Sequence, residues 1–267
     1  MNLTAEQLQE NFDKLIGLIE EHISSPRKEK LIEMYKDHQE RLMLMPASGN
    51  INYHNCFPGG YVDHVNRVVN CSLELARVWT TLGAEIDFTL EELVFAAINH
   101  DLGKMGTEQA EQYIPNPSEW HRKNQGKIYT NNPANSFMTV PDRSLKLLAD
   151  RGITVTDNEW FGIKLHDGMY EEANKAYFVN FNPDSALRTN LPYLLHHADM
   201  LASRIEKAKS AGTIQVTPSP TAKVTKRAAQ IPDSATEAEK EDLVILRKLC
   251  KIYFSYLLSI QKYSRSY

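Results

Sequence analysis

The feature that most restricts this chain is an apolar helix that ends on a histidine and an aspartate. Leu93-Val94-Phe95-Ala96-Ala97-Ile98 is an unbroken apolar run and reads as one buried helix. Thr89-Leu90-Glu91-Glu92, just before it, has the form of a capping box. Asn99-His100-Asp101-Leu102-Gly103-Lys104 follows, and Gly103 suits the left-handed position past a helix end. Neighbouring side chains on a helix point about 100° apart. At a helix end, two of them can still converge on one point beyond it. Imidazole plus carboxylate is a usual ligand pair for a first-row divalent ion. On the dipeptide alone, a purely structural His–Asp pair is the better reading.

Two protein ligands rarely hold a metal, and the sequence offers two more. His64 follows Phe57-Pro58-Gly59-Gly60 and opens a helix with the apolar face Val65, Val68, Val69, Leu75, Ala76, Trp79 and Leu82. Asp199 lies within Leu194-Leu195-His196-His197-Ala198-Asp199-Met200-Leu201. A carboxylate in so apolar a stretch is costly to bury unless something positive meets it.

A His after a Gly-Gly helix start, then His-Asp-Leu-Gly-Lys, then a distant Asp in Ala-Asp-Met-Leu-Ala, resembles the HD-domain superfamily of metal-dependent phosphohydrolases. The likeness spans roughly 57–206. It implies an all-α fold, a helical bundle that here would carry N-terminal helices and a C-terminal docking helix. It implies that His64, His100, Asp101 and Asp199 bind a divalent ion, whether Mn, Fe, Co, Ni, Mg or Zn. Many two-metal members have a further His where Thr139-Val140-Pro141-Asp142 stands, so one ion is expected rather than two. The activity implied is hydrolysis of a nucleotide phosphoester, of the nucleotidase or dNTP phosphohydrolase type. A 3'-5' exonuclease on single-stranded RNA or DNA, known from a related branch, is the alternative enzyme. A nucleotide-binding module without turnover is the alternative outside catalysis.

Roles follow for other residues. Asp101 could orient the attacking water as well as bind metal. Lys104 and Arg143 would neutralise charge developing on phosphorus. Arg143 and Ser144 lie in the first turn of a helix beginning near Asp142, where free N–H groups and the helix dipole suit an anion. In some nucleotidases of the superfamily a Glu follows the His-Asp pair by three. Lys104 takes that place here, so another general acid is needed. Thr156-Asp157-Asn158-Glu159 caps a helix that closes at His166-Asp167-Gly168, a second His-Asp helix end. His166 is the candidate acid and Asp167 a substrate contact, with a capping imidazolium as the plain alternative. His196 shares the Asp199 face and suits a supporting partner; His197 does not, and suits packing or substrate. The segment from Glu108 to Asn135 carries Tyr113, Trp120, His121, Arg122, Lys123, Lys127 and Tyr129. It reads equally as a flap offering rings and cations to a nucleotide, with His121 among them, or as a surface loop pinned by Trp120 and Tyr129.

Composition narrows the partners. The 267 residues carry a net charge of −4, which argues against a dedicated duplex-DNA binder and leaves nucleic acid disfavoured. No apolar run reaches the roughly eighteen residues of a membrane span. Met1-Asn2-Leu3-Thr4-Ala5-Glu6 is no signal segment, and Cys56, Cys71 and Cys250 lack metal-type spacing. Reduced thiols in a cytoplasm are the simplest expectation. Residues 1–56 read as an N-terminal helical hairpin and 57–209 as the HD phosphohydrolase core. The first helix is capped by Thr4-Ala5-Glu6-Gln7; the second starts at Ser25-Pro26 with the stripe Leu31, Met34, Tyr35, Leu42 and Met45. His22 and His38 read as surface residues; His54, in the loop before the His64 helix, could touch substrate near a metal site but reads better as a solvated loop residue. Residues 210–237 have linker composition. A helix over 238–267 has so wide an apolar face that it must dock, on its own core or on a second copy in a homo-oligomer.

Overall fold

The structure, a computed structural model, describes residues 3–180 and 182–210. The expected docking helix over 238–267, the homo-oligomer contact assigned to it, Cys250, and all of the 210–237 linker except Ser210 lie outside the described residues.

Among the described residues the fold is mostly helical, with one two-stranded ribbon. Its helices are α1 (Ala5–His22), α2 (Arg27–Asp37), α3 (Gln39–Leu44), α4 (Gly60–Leu82), α5 (Leu90–Asn99), α6 (Glu119–Gln125), α7 (Val140–Asp150), α8 (Asp157–Leu165), α9 (Lys175–Phe178) and α10 (Leu191–Ser210). Three capping boxes form where the sequence places them, at Thr4/Gln7, Thr89/Glu92 and Thr156/Glu159. In each, the Thr hydroxyl accepts from the N–H three residues on, and that residue's side chain accepts from the Thr N–H. These caps fix where α1, α5 and α8 begin.

Apolar periodicity then decides what each helix buries. α1 buries Phe12, Leu15, Ile16 and Ile19. The expected second helix is broken at His38 into α2 and α3, though Leu31, Met34, Tyr35 and Leu42 all stay buried. His38 is not a surface residue: its Nε2 lies 2.9 Å from Glu108 Oε2 and 3.2 Å from Arg151 Nη2. His22 is likewise half-buried. On α4 the buried face ends early, and Leu82 is 79% exposed. α5 is apolar all round from Leu93 to Ile98 and is accordingly enclosed, between α4 and α8. α10 lies along α4 and α8. Phe12, Tyr61, Val94, Leu148, Ile163 and Leu195 belong to one apolar cluster. The N-terminal helices therefore share a core with 57–209, and no separate hairpin splits off at residue 56.

The 108–135 insertion is built. β1 (Tyr113–Pro115) and β2 (Tyr129–Asn131) pair antiparallel, Ile114 opposite Thr130, with α6 between them. Backbone bonds tie it to the loop before α4: Tyr129 N–H to Gly49 O at 3.0 Å and Ile51 N–H to Gly126 O at 2.9 Å. Trp120 is 59% exposed, so it does not pin the segment; these backbone bonds do. No helix among the described residues is long and apolar enough to cross a membrane.

One buried ion cluster joins α2, α5 and α8. Arg27 donates to Glu159 Oε2 at 2.7 Å and to Glu91 Oε1 at 2.5 Å, and its guanidinium carbon lies 4.2 Å from the Phe95 ring centroid. Glu159 is fully buried. Removing one partner of such a pair leaves an uncompensated charge, which costs about 3–5 kcal/mol. Arg27→Met is expected to lose stability of that order in urea unfolding. A loss below about 1 kcal/mol, the size of an exposed pair, would show that the cluster does not hold these helices together.

Candidate metal centre

Two helix ends deliver imidazoles in the same way. His100 follows α5 and His166 follows α8. In each, Nδ1 lies 2.8 Å from the carbonyl oxygen three residues back, Ala97 for His100 and Ile163 for His166. A helix C-terminus leaves its last carbonyls free to accept such a bond. A proton on Nδ1 leaves the lone pair on Nε2. His64, near the start of α4, comes from the other side, with Nδ1 3.1 Å from Glu206 Oε2.

The Nε2 atoms and two carboxylates converge. His64 Nε2 is 3.2 Å from Asp199 Oδ1 and 3.6 Å from Asp101 Oδ2. His100 Nε2 is 3.4 Å from Asp101 Oδ2, and His166 Nε2 is 3.7 Å from Asp101 Oδ1. Donor atoms of His64, His100 and Asp101 lie within 4.8 Å of one another, as do those of His100, His166 and Asp199. The His–Asp separations of 3.2–3.7 Å are those of donors that can share an ion with bonds of about 2.0–2.2 Å. His64 Nε2 and His100 Nε2 are buried with no hydrogen-bond partner. Two buried nitrogens without a hydrogen-bond partner are costly unless an electrophile meets them. This set of buried His and Asp groups could hold a metal ion.

Charge is arranged to match. Lys104 Nζ lies 2.6 Å from Asp101 Oδ2. Burial would raise the Asp101 carboxyl, but Lys104 and then His100 hold it well below its usual range. Burial would lower Lys104, and Asp101 raises it instead. Burial pushes the His64 imidazole down, but Glu206 and Asp199 outweigh it and raise it to about 10. His166 is raised to about 9, with Asp167 and then Asp101 outweighing burial.

The turn carrying Asp101 is clamped from α7. Ser144 Oγ accepts from Gly103 N–H at 2.7 Å and lies 3.1 Å from His100 O. Gly103 does not adopt the left-handed conformation expected of it. It is needed for space, because a Cβ there would lie 2.1 Å from Val140 O. Gly168 does have a positive φ of 58°, and a Cβ on it would meet the His196 ring at 2.6 Å. His196 Nδ1 in turn lies 2.8 Å from His166 O, so it supports the second helix end rather than Asp199.

Several expected substrate residues stand elsewhere. Ser144 is spent on the clamp and offers nothing to an anion. Arg143 is buried, and its guanidinium holds Ser136 O at 2.9 Å together with Gln112 Oε1, so it ties the insertion to α7. The α7 N-terminus is also no anion site: it carries Asp142, paired with Lys164 at 2.5 Å. His197 packs on Trp79, ring centroids 6.1 Å apart, on the flank of α4. His121 sits on α6 against Trp120, outside the cluster. Asp167 is at the edge, 3.7 Å from His166 Nε2 and half exposed.

Two further residues join the cluster, one that the sequence places in a solvated loop and one that it does not single out. His54 is no solvated loop residue: its ring lies 4.5 Å from that of His64, and its Nε2 is buried without a partner. Burial, then His64 and Lys104, push it down to about 3, which keeps it neutral. Its only sequence signal was nearness to the Gly59-Gly60 helix start. Glu206 lies two turns beyond Asp199 on α10, a spacing that could have found it. Beside the centre, a cavity of about 570 Å³ is bordered by Lys104, Arg41, Tyr113 and Tyr129.

Ser144→Ala would leave the Gly103 N–H without its acceptor in a buried turn. The expected cost is about 1–3 kcal/mol of stability, read by denaturant unfolding. An unchanged midpoint would show that the clamp is dispensable.

No family model, curated protein or solved structure matches this chain.

Proposed function

We propose that this chain is a metal-dependent phosphohydrolase that cleaves a phosphoester of a nucleotide, on an HD-domain scaffold. One observation carries the reading: the Nε2 atoms of His64 and His100, buried and without partners, converge with the carboxylates of Asp101 and Asp199. Nitrogen donors held in a fixed ring orientation beside carboxylates are what a divalent ion selects. The order of the four residues along the chain, in the motifs that resemble the HD superfamily, supports the scaffold.

His64, His100, Asp101 and Asp199 would hold the ion. Bound there, it would supply Lewis acidity toward a phosphoryl oxygen and a water made acidic. Lys104 has three donors, of which Asp101 takes one, and the others can meet phosphate oxygens. His166 can hold a proton on Nε2 and pass it to the leaving oxygen as general acid. Arg143, engaged by the insertion, is left out of phosphate binding. The cavity beside Lys104 falls in the size range of small-molecule sites and would receive the rest of the nucleotide.

A metal analysis with a panel of ribo- and deoxynucleotides, cyclic dinucleotides and oligonucleotides tests this reading. Phosphate or nucleoside release from a mononucleotide, dependent on a divalent ion, is the expected result. Cleavage confined to oligonucleotides would move the assignment to a nuclease, and binding without turnover would end the enzyme reading. Asp101→Ala is expected to lose both ion and turnover; a variant that keeps full metal occupancy would refute the ligand set. His166→Ala is expected to retain an ion and slow turnover by about 10²–10⁴-fold. A rate within about twofold of the parent would reduce His166 to a helix cap.

A further inference from the structure

We propose that Glu206 is a positioning residue for His64, holding the imidazole so that Nε2 and not Nδ1 faces the metal centre. This rests on the reading of the cluster as a metal site. His100 and His166 use carbonyls at their own helix C-termini for the purpose. His64 cannot, because it stands near a helix start, where the carbonyls behind it belong to the helix ladder. An acceptor must come from another element, and α10 supplies it. Glu206 is 1% exposed, and its two oxygens lie 3.2 and 3.1 Å from His64 Nδ1.

Glu206 is itself held. Arg67 Nε donates to Glu206 Oε1 at 3.1 Å. Arg67 Nη2 donates to both Asp63 oxygens, at 3.2 and 3.0 Å. Asn55 Nδ2 donates to Asp63 Oδ2 at 2.9 Å and lies 3.3 Å from Gly60 O. The chain of bonds thus runs from α10 through α4 to the loop residue next to His54. A carboxylate on the remote nitrogen of a ligating imidazole fixes the ring and raises its basicity.

A rival role exists on the same atoms, since donors of His54, His64 and Glu206 lie within 4.8 Å of one another and could bracket an ion. Arg67 argues against it. The guanidinium already neutralises Glu206, and a cation placed there would face another cation.

The test titrates Zn²⁺ into the full-length protein and Glu206→Gln by calorimetry, with thermal unfolding of both metal-free forms. Expected is a folded variant with unchanged stoichiometry and Kd weakened about 10–100-fold. An equal Kd in the folded variant would overturn the role while leaving the metal centre standing. Loss of a whole equivalent would make Glu206 a ligand and overturn it too. Should the variant not fold, ¹⁵N NMR of the Zn²⁺-loaded parent decides: a proton on His64 Nδ1 supports the role, and a bare Nδ1 refutes it. A parent that takes up no Zn²⁺ or Mn²⁺ would overturn the centre itself.

Discussion

The rest of this structure depends on how each imidazole's Nδ1 is tied down. At the ends of α5 and α8 the tie is a backbone carbonyl three residues back. On α4 it is a carboxylate from α10. In all three cases the bond decides which nitrogen is left over. The packing of α4, α5, α8 and α10 brings those leftover nitrogens into two overlapping donor groups that share His100. A shift of any of these helices would move a ring, so the fold and the site obey the same constraint.

The clamps around the site follow from that demand. A 3₁₀ turn over Leu102–Met105 carries the chain away from Asp101, and Ser144 with the close approach of Val140 fixes it to α7. Gly168 and His196 do the corresponding work behind His166. Arg143 extends the hold to the insertion, through Ser136 and Gln112. Helix ends are ordinarily where a chain frays, so side chains that must stay within tenths of an ångström need such support.

Local signals in the sequence carried much of this. Capping boxes at Thr4, Thr89 and Thr156 and the apolar run Leu93–Ile98 are short-range features, and each forms where the sequence places it. The chemistry of a carboxylate amid leucines pointed to Asp199 for the same reason. What stayed hidden depends on residues far apart in the chain. His38 finds Glu108 and Arg151, 70 and 113 residues away. Arg143 looked free at a helix start because Gln112, 31 residues back, is brought to it only by the ribbon. Glu206 stood in a charged helix tail, Arg204-Ile205-Glu206-Lys207, that resembles a solvated end. From sequence alone position 103 looks like a conformational glycine, and only the neighbouring α7 makes it a steric one.

Charge balance gives the last step. Besides the half-exposed Asp167 at its edge, three carboxylates, Asp101, Asp199 and Glu206, meet in or beside the cluster, and burying them is costly without positive partners. Asp101 has Lys104 at 2.6 Å, and Glu206 has Arg67 at 3.1 Å. Among the described residues no lysine or arginine pairs with Asp199; its neighbours are His64 Nε2 at 3.2 Å and Ser203 Oγ at 3.4 Å. Asp199 is also the carboxylate with the largest exposed fraction of the three, 20% against 5% and 1%. Negative charge without a lysine or arginine partner and access to solvent thus coincide at Asp199, whose charged neighbour at close range is His64. If an ion binds in the cluster, the carboxylate whose charge no lysine or arginine among the described residues already offsets is Asp199, whereas Asp101 and Glu206 are balanced by Lys104 and Arg67.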